Sequence, residues 1–200
     1  GFPRPMGVAI GAGGRLAVGT QREVIEYRDQ PAVIKRLTEP DRYDSCYLPR
    51  RRHTTGDISI HDMAYGDDGL WVVNTRFSCL CTLDGDHSFV PRWRPSFITA
   101  LAGEDRCHLN GLAMRDGRPR WVTALGVSDE ATGWRERKAF GGVVIDVDSG
   151  EFVAEGLSMP HSPRWYRDRL WLVNAGSGEF GWVDLDRGRF EPIAFCPGFL

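Results

Sequence analysis

A short residue pattern recurs four times along this chain of 200 residues, at a spacing of about 50 residues. Each copy begins with a small apolar strand, continues through a turn, and ends in a strand of the Leu-Trp-Val type. The copies are anchored at Met6, His61, Asn110 and His161. Repetition of matching positions at this period is typical of repeated structural units that pack against one another, so it constrains the fold more strongly than any other feature.

The second half of each unit repeats as well. Residues 144–152 and 182–190 both read as a strand, a turn of the Asp-x-Gly type and a returning strand, which is a hairpin signal. A unit of about 50 residues therefore contains about four strands, which is typical of a β-propeller blade. The 24 glycines agree with many short strands joined by tight turns.

We therefore predict an all-β fold, a β-propeller with about four visible blades of four antiparallel strands each. The blades are expected at residues 1–56, 57–105, 106–158 and 159–200, within a single propeller domain. The missing initiating Met and the last four residues, 197–200, indicate a segment of a longer protein. The prediction is thus an incomplete domain that belongs to a six- or seven-bladed ring.

Charge and composition argue against several partners. The chain has 25 Lys and Arg against 27 Asp and Glu, a net charge of -2, without the clustered basic excess of nucleic-acid-binding proteins. No apolar run approaches the roughly 20 residues that span a bilayer, so no membrane partner is expected. Five cysteines without a secretory signal indicate mostly reduced thiols in a cytoplasmic protein.

Two segments interrupt the repeat. Residues 39–56 read as an insertion with the basic run Arg50-Arg51-Arg52-His53, which is expected to be a solvated surface loop or a loop that binds phosphate or carboxylate. Residues 127–139 connect strands of the third unit and contain Trp134 in a polar context. This tryptophan is expected either to cap the channel mouth or to pack on a neighbouring blade.

Several longer motifs resemble a bacterial family of conserved hypothetical proteins that share a domain of unknown function. The resemblance extends from end to end of the chain and implies a propeller fold, members that are longer than this chain, and no established activity. The stretches that carry it include residues 55–62, 74–80, 107–112, 122–126, 133–135 and 156–165.

A weaker similarity links Asn110-Gly111-Leu112 to the gluconolactonase and strictosidine-synthase-like propellers. In those enzymes an asparagine before glycine, on an inner strand, helps to hold a calcium ion on the central axis. Here two of the positions that match their oxygen ligands are His61 and His161. Calcium prefers oxygen ligands, so the resemblance transfers calcium binding poorly.

The candidate site follows from the repeat. The innermost strand of every blade faces the central channel, so His61, Asn110 and His161 are expected to point into one tunnel. His108 precedes Asn110 by two residues and should share its strand face. The predicted catalytic residues are His61 and His161, the metal candidates are His61, Asn110 and His161, and the predicted ligand-binding residues are Asp62, Arg76, His108, Asn110, Arg135, Ser162 and Arg164.

Three interpretations of these residues stay open. Imidazoles from different blades suit a divalent transition metal such as Zn, Fe, Cu or Ni, in the manner of the carotenoid oxygenases. Alternatively, the site binds an organic ligand, with His61 or His161 as a general acid or base and arginines on a carboxylate or phosphate. In the third interpretation, the histidines are hydrogen-bonded channel residues that lock neighbouring blades together.

The function predicted from these residues is binding of a small or peptide-like polar ligand at the channel mouth. One alternative is a metal-dependent hydrolase, lyase or oxygenase with an axial metal. The other is a non-catalytic platform for a protein partner, a common use of propellers. Fold alone does not choose among these functions.

Overall fold

A computed structural model of the protein describes residues 1–39 and 42–197. These residues form four sheets, each a meander of four antiparallel strands in chain order. The first two sheets consist of β1 (Val8–Gly11), β2 (Arg15–Gly19), β3 (Glu23–Asp29), β4 (Tyr47–Thr54), β5 (Ile60–Gly66), β6 (Gly69–Asn74), β7 (Cys79–Thr82) and β8 (Val90–Trp93). The other two consist of β9 (Leu109–Arg115), β10 (Arg118–Ala124), β11 (Gly142–Asp146), β12 (Phe152–Leu157), β13 (Pro160–Tyr166), β14 (Arg169–Asn174), β15 (Glu179–Asp184) and β16 (Arg189–Phe195).

The first strand of each sheet contacts the first strand of the next, from β1 to β5, β9 and β13. This is the arrangement of propeller blades around a channel, so the predicted all-β propeller with four-stranded blades is confirmed. Helical structure includes α1 (Pro31–Ile34) and a 3₁₀ helix at Gly133–Glu136. Neither is long and apolar enough to cross a membrane.

Both faces of an inner blade are buried, and β7 shows how the sequence achieves this. Cys79 and Cys81 pack with Val24 and Met63 between the first and second sheets, whereas Leu80 packs between the second and third. Neighbours on a strand point to opposite faces, so an unbroken apolar run fills two cores.

All five cysteines are free thiols, as predicted, and burial raises the pKa of Cys79 to about 12.

The predicted surface loop at residues 39–56 is wrong for residues 47–54, which form β4, the outermost strand of the first blade. His53 Nε2 lies 3.1 Å from the carboxylate of Glu26 on β3, and Arg51 approaches the same carboxylate. Charged side chains on an exposed edge strand oppose pairing with another chain. Such a strand lacks the apolar alternation by which strands are identified. Pro40 and Asp41, also in the predicted loop, lie outside the described residues, as do residues 198–200.

A buried carboxylate joins the inner strands of three blades. Asp62 on β5 accepts a hydrogen bond from the backbone N–H of Leu112 on β9, at 3.0 Å, and a two-point ion pair from Arg164 on β13, at 2.8 and 3.0 Å. Arg164 also donates to the carbonyl of Leu112. The Asp62 side chain is only 8% exposed, so these donors replace its lost hydration.

We expect Asp62→Asn to lower the free energy of unfolding by about 2 kcal/mol, since it weakens charge-assisted hydrogen bonds between blades. Half of the Arg164 side chain is exposed, so solvent screening keeps the loss below that of a fully buried pair. Urea unfolding measures the effect. The matched control is Asp116→Asn, which removes an exposed pair with Arg115 and should change stability by less than about 0.5 kcal/mol. Equal effects of the two substitutions would contradict this role.

Gly111 allows the third and fourth blades to approach closely. A Cβ atom at this position would overlap Cδ of Pro163 and would lie 2.6 Å from Oγ1 of Thr123. The glycine of the Asn-Gly-Leu motif is therefore required by packing between β9 and β13.

Gly111→Ala should consequently destabilise the protein by about 1–3 kcal/mol, the usual effect of overpacking. Gly85→Ala is the control, because a Cβ there meets nothing within 4 Å. Thermal and urea unfolding of both variants test the prediction. It fails if the Gly111 variant is as stable as the Gly85 variant.

Candidate functional site

Three anchor positions of the repeat are structurally equivalent at the channel. The pairing of inner and second strands shifts register around His61 in β5, around Asn110 in β9 and just after His161 in β13. The residue two positions earlier has a left-handed backbone in each case, with φ of 54° at Ser59, 50° at His108 and 51° at Met159. This shared bulge presents the following side chains at the same end of the inner strands.

Hydrogen bonds determine which nitrogen of His61 carries the proton. Its Nδ1 lies 3.0 Å from the carbonyl oxygen of Ser59 and 2.9 Å from Oγ1 of Thr75. The Thr75 hydroxyl donates its only proton to the carbonyl of Leu109, so it can only accept from His61. The proton of the neutral ring is therefore on Nδ1, and Nε2 carries a lone pair.

His161 has the same arrangement. Its Nδ1 lies 2.7 Å from the carbonyl oxygen of Met159, which can only accept. Burial lowers the pKa of both His61 and His161 below the ordinary value of 6.5, against the opposing effect of these backbone hydrogen bonds. Both rings are consequently neutral at pH 7.

His108 reaches the same mouth from the residue before β9. Its ring centre lies 4.7 Å from that of His61, with the rings nearly perpendicular, and 4.3 Å from that of Trp134. Its Nδ1 lies 2.8 Å from Oδ2 of Asp105, so a carboxylate accepts the Nδ1 proton here. The charges of His108 and His161 both contribute to lowering the pKa of His61.

The Nε2 atoms of these three rings are left as open acceptors. Hydrogen bonds of His61, His108 and His161 within the described chain involve Nδ1 alone. None of the three Nε2 atoms is among the fully buried polar atoms that lack a partner, so each reaches solvent. We call these three rings the mouth histidines.

The segment between β10 and β11 lies over His108. Its 3₁₀ helix buries Trp134, which lies over the ring of His108 and donates from Nε1 to Asp105 at 3.2 Å. Asp129 of the same segment accepts from Thr99 and from Arg106. These contacts attach the segment to the chain between β8 and β9, so Trp134 lies beside a mouth histidine and also packs on the preceding part of the chain.

The other predicted residues are placed differently. Asp62 and Arg164 are paired with each other in the joint between blades. Asn110 is buried, with Oδ1 accepting from Thr123, while its Nδ2 has no partner among the described residues. The remaining three are exposed: Ser162 on the β13 bulge, Arg76 after β6, and Arg135 with its guanidinium 4.7 Å from the Trp134 ring centre.

The arrangement gives little support to a metal centre. Within residues 1–39 and 42–197, no group of three or more His, Cys, Asp or Glu side chains is placed to hold a metal ion. The oxygen of Asn110, which the calcium-binding propellers use, accepts from Thr123 instead. Within the described residues, the mouth histidines therefore do not form a three-ligand set.

Sequence reasoning missed Asp105 and Thr75, which fix the proton on two of the mouth histidines. The spacing Asp-x-x-His at Asp105 and His108 recurs at Asp84 and His87, an exposed pair in the turn between β7 and β8. Spacing alone therefore does not distinguish the mouth from a surface turn, and only the fold does.

Solved structures with the same fold share little sequence with this chain. Streptogramin B lyase matches with a TM-score of 0.54 at 11% identity, over 96% of this chain and 55% of that one. A protein of unknown function from Bacteroides thetaiotaomicron matches with a TM-score of 0.53 at 9% identity, over 96% of this chain and 44% of that one. A putative glucose dehydrogenase from Thermus thermophilus matches with a TM-score of 0.50 at 13% identity, over 100% and 87%.

These likenesses concern the fold alone, and the chain spans about half the length of the lyase. No curated protein matches the chain in sequence. The family described as a domain of unknown function, DUF4915, matches residues 1–200, as the motifs around the mouth histidines predicted. The chain is therefore a member of the DUF4915 family.

Proposed function

We propose that the channel mouth binds a small polar or peptide-like ligand through hydrogen-bond donors of that ligand. The observation that carries the proposal is the set of open Nε2 acceptors on His61, His108 and His161. Each ring has its Nδ1 proton held by the protein, so each presents a lone pair to whatever enters the mouth. Hydroxyl and amine groups supply the complementary donors.

Charge favours such donors over an anion. His61 and His161 are neutral at pH 7, so they do not attract a carboxylate or phosphate. The pairing of Arg164 with Asp62 occupies much of its guanidinium. Arg76 and Arg135 are exposed and remain the candidates for an acidic group of a larger ligand.

Trp134 is buried beside the ring of His108, so a ligand meets the histidine acceptors rather than a free indole face. The alternative of a metal-dependent enzyme lacks a three-ligand set within the described residues. The alternative of a protein-interaction platform has no observation that favours it.

A panel of ligands tests the proposal directly. We expect hexoses, amino sugars or short peptides to raise the melting temperature of the protein, and to do so less in His61→Ala and His161→Ala. His87→Ala is the matched control, because His87 is exposed and its Nδ1 also faces an aspartate. Zn²⁺ and Ni²⁺ belong in the panel. Stabilisation by a metal alone, lost with His61, would favour the metalloenzyme, and equal responses of all variants would contradict binding at the mouth.

The neutral state of two mouth histidines also predicts a pH dependence of stability. The pKa of His61 and of His161 is lowered by burial, so below pH 6.5 the unfolded chain binds protons that the folded protein does not. The free energy of unfolding should therefore fall as the pH drops through 6.5, until the pH reaches the lowered pKa values. Urea unfolding between pH 8 and 5 gives the free energy of unfolding at each pH. This free energy should fall less steeply with pH in His61→Gln than in the wild-type protein, and least steeply in the variant that also carries His161→Gln. Equal slopes in all three proteins would contradict neutral mouth histidines.

A further inference from the structure

Asp105 distinguishes His108 from the other two mouth histidines. Both oxygens of its carboxylate lie within hydrogen-bond distance of His108 Nδ1, at 2.8 and 3.1 Å. His61 and His161 have only uncharged acceptors at Nδ1, namely two backbone carbonyls and the Thr75 hydroxyl.

We propose that His108 is the general base of the channel mouth, and that Asp105 is the positioning residue that holds it in the reactive tautomer. This inference rests on the proposed function, since it assumes that a ligand hydroxyl, or a water beside the ligand, meets Nε2. It assigns proton-transfer chemistry to the site.

Charge compensation is the first argument. A base that accepts a proton becomes an imidazolium, and a buried imidazolium needs a counter-charge. Asp105 supplies one at hydrogen-bond distance of His108, whereas the Nδ1 partners of His61 and His161 are all uncharged. Trp134 adds to this effect, because its ring lies 4.3 Å from that of His108 and an aromatic face attracts a cation.

The second argument is the rigidity of the support. Trp134 Nε1 donates to Asp105, so the carboxylate is held from two sides. Arg106, the next residue, pairs with Glu104 and with Asp129 of the segment that carries Trp134. A base is effective when its orientation is set before the ligand arrives.

The backbone conformation at Asp105 and His108 also supports a fixed geometry for this pair. Asp105 and His108 both have left-handed φ values, 49° and 50°, which residues other than glycine rarely adopt. Between them Cys107 is fully buried, and its carbonyl accepts from Leu125 and Gly126. At His108 this conformation is the bulge shared with Ser59 and Met159, so the backbone of the repeat fixes the position of the ring beside Asp105.

The proton transfer balances within the site. An O–H bond of a ligand hydroxyl or of water breaks, its proton forms a new N–H bond at His108 Nε2, and the electron pair stays on the oxygen as an alkoxide or hydroxide. The imidazolium keeps its Nδ1 proton towards Asp105. The Nε2 proton then returns to an oxygen of the ligand or to water, which restores the neutral ring.

The tautomer can be measured without any ligand. Long-range ¹H–¹⁵N spectra of the ¹⁵N-labelled protein at pH 8 should show His108, His61 and His161 as Nδ1–H tautomers. In Asp105→Ala, the signals of His108 should shift towards the Nε2–H pattern, while His61 and His161 keep theirs. An Nε2–H tautomer of His108 in the wild-type protein would overturn the proposal, and this outcome does not depend on whether the variant folds.

Diethyl pyrocarbonate measures the reactivity of Nε2, because it acylates the unprotonated nitrogen. Peptide mass spectrometry follows the modification of each histidine. We expect Asp105→Asn to lower the rate at His108 about tenfold, the effect of one lost charge-assisted hydrogen bond. Asp84→Asn is the matched control, since it removes the exposed carboxylate from Nδ1 of His87 and should leave the rate at His108 unchanged.

The outcomes separate this inference from the proposed function. An unchanged rate at His108 in Asp105→Asn overturns the role of the pair, even where the ligand panel shows binding at the mouth. A tenfold loss confined to Asp105→Asn, with the Nδ1–H tautomer in the wild-type protein, supports it, even where no panel compound binds.

Discussion

The joint between Asp62, Arg164 and the backbone of Leu112 is the interaction on which the site depends. The three residues belong to the inner strands of successive blades, so one carboxylate sets the distance between β5, β9 and β13. Gly111 permits the approach, because any side chain there would strike Pro163. The mouth histidines lie on these same strands or beside them. Their mutual distances are therefore a consequence of how the blades pack.

Satisfied Nδ1 atoms give the mouth its chemical character. A histidine with both nitrogens free can exchange tautomers and meet a ligand either as donor or as acceptor. The carbonyls of Ser59 and Met159, the Thr75 hydroxyl and the Asp105 carboxylate remove this freedom, and each leaves an acceptor at Nε2. Two of these partners are backbone atoms of the repeated left-handed bulge. The propeller repeat therefore supplies part of the site through its backbone.

The repeat made the blades, the inner strands and the equivalence of His61, Asn110 and His161 predictable, since these follow from local spacing and strand alternation. It did not make the partners predictable. Asp62 reads as a channel residue from its position, yet its partner Arg164 is 102 residues away and depends on blade packing. The basic run at residues 50–53 was misjudged because an exposed edge strand and a polar loop have the same composition. The contacts of Trp134 with His108 and Asp105 also depend on the fold rather than on local spacing.

The mouth histidines divide into two kinds by the charge of their Nδ1 partners. A neutral carbonyl or hydroxyl fixes the tautomer but does nothing to stabilise a positive ring, so burial keeps His61 and His161 neutral and suited to hydrogen bonding. A carboxylate fixes the same tautomer and also compensates the charge that proton transfer creates. A site with two neutral acceptors and one compensated base can hold a ligand hydroxyl while removing a proton from it. The three mouth histidines have the same side chain but different Nδ1 partners. They are therefore not expected to have the same function, although they lie side by side in the structure.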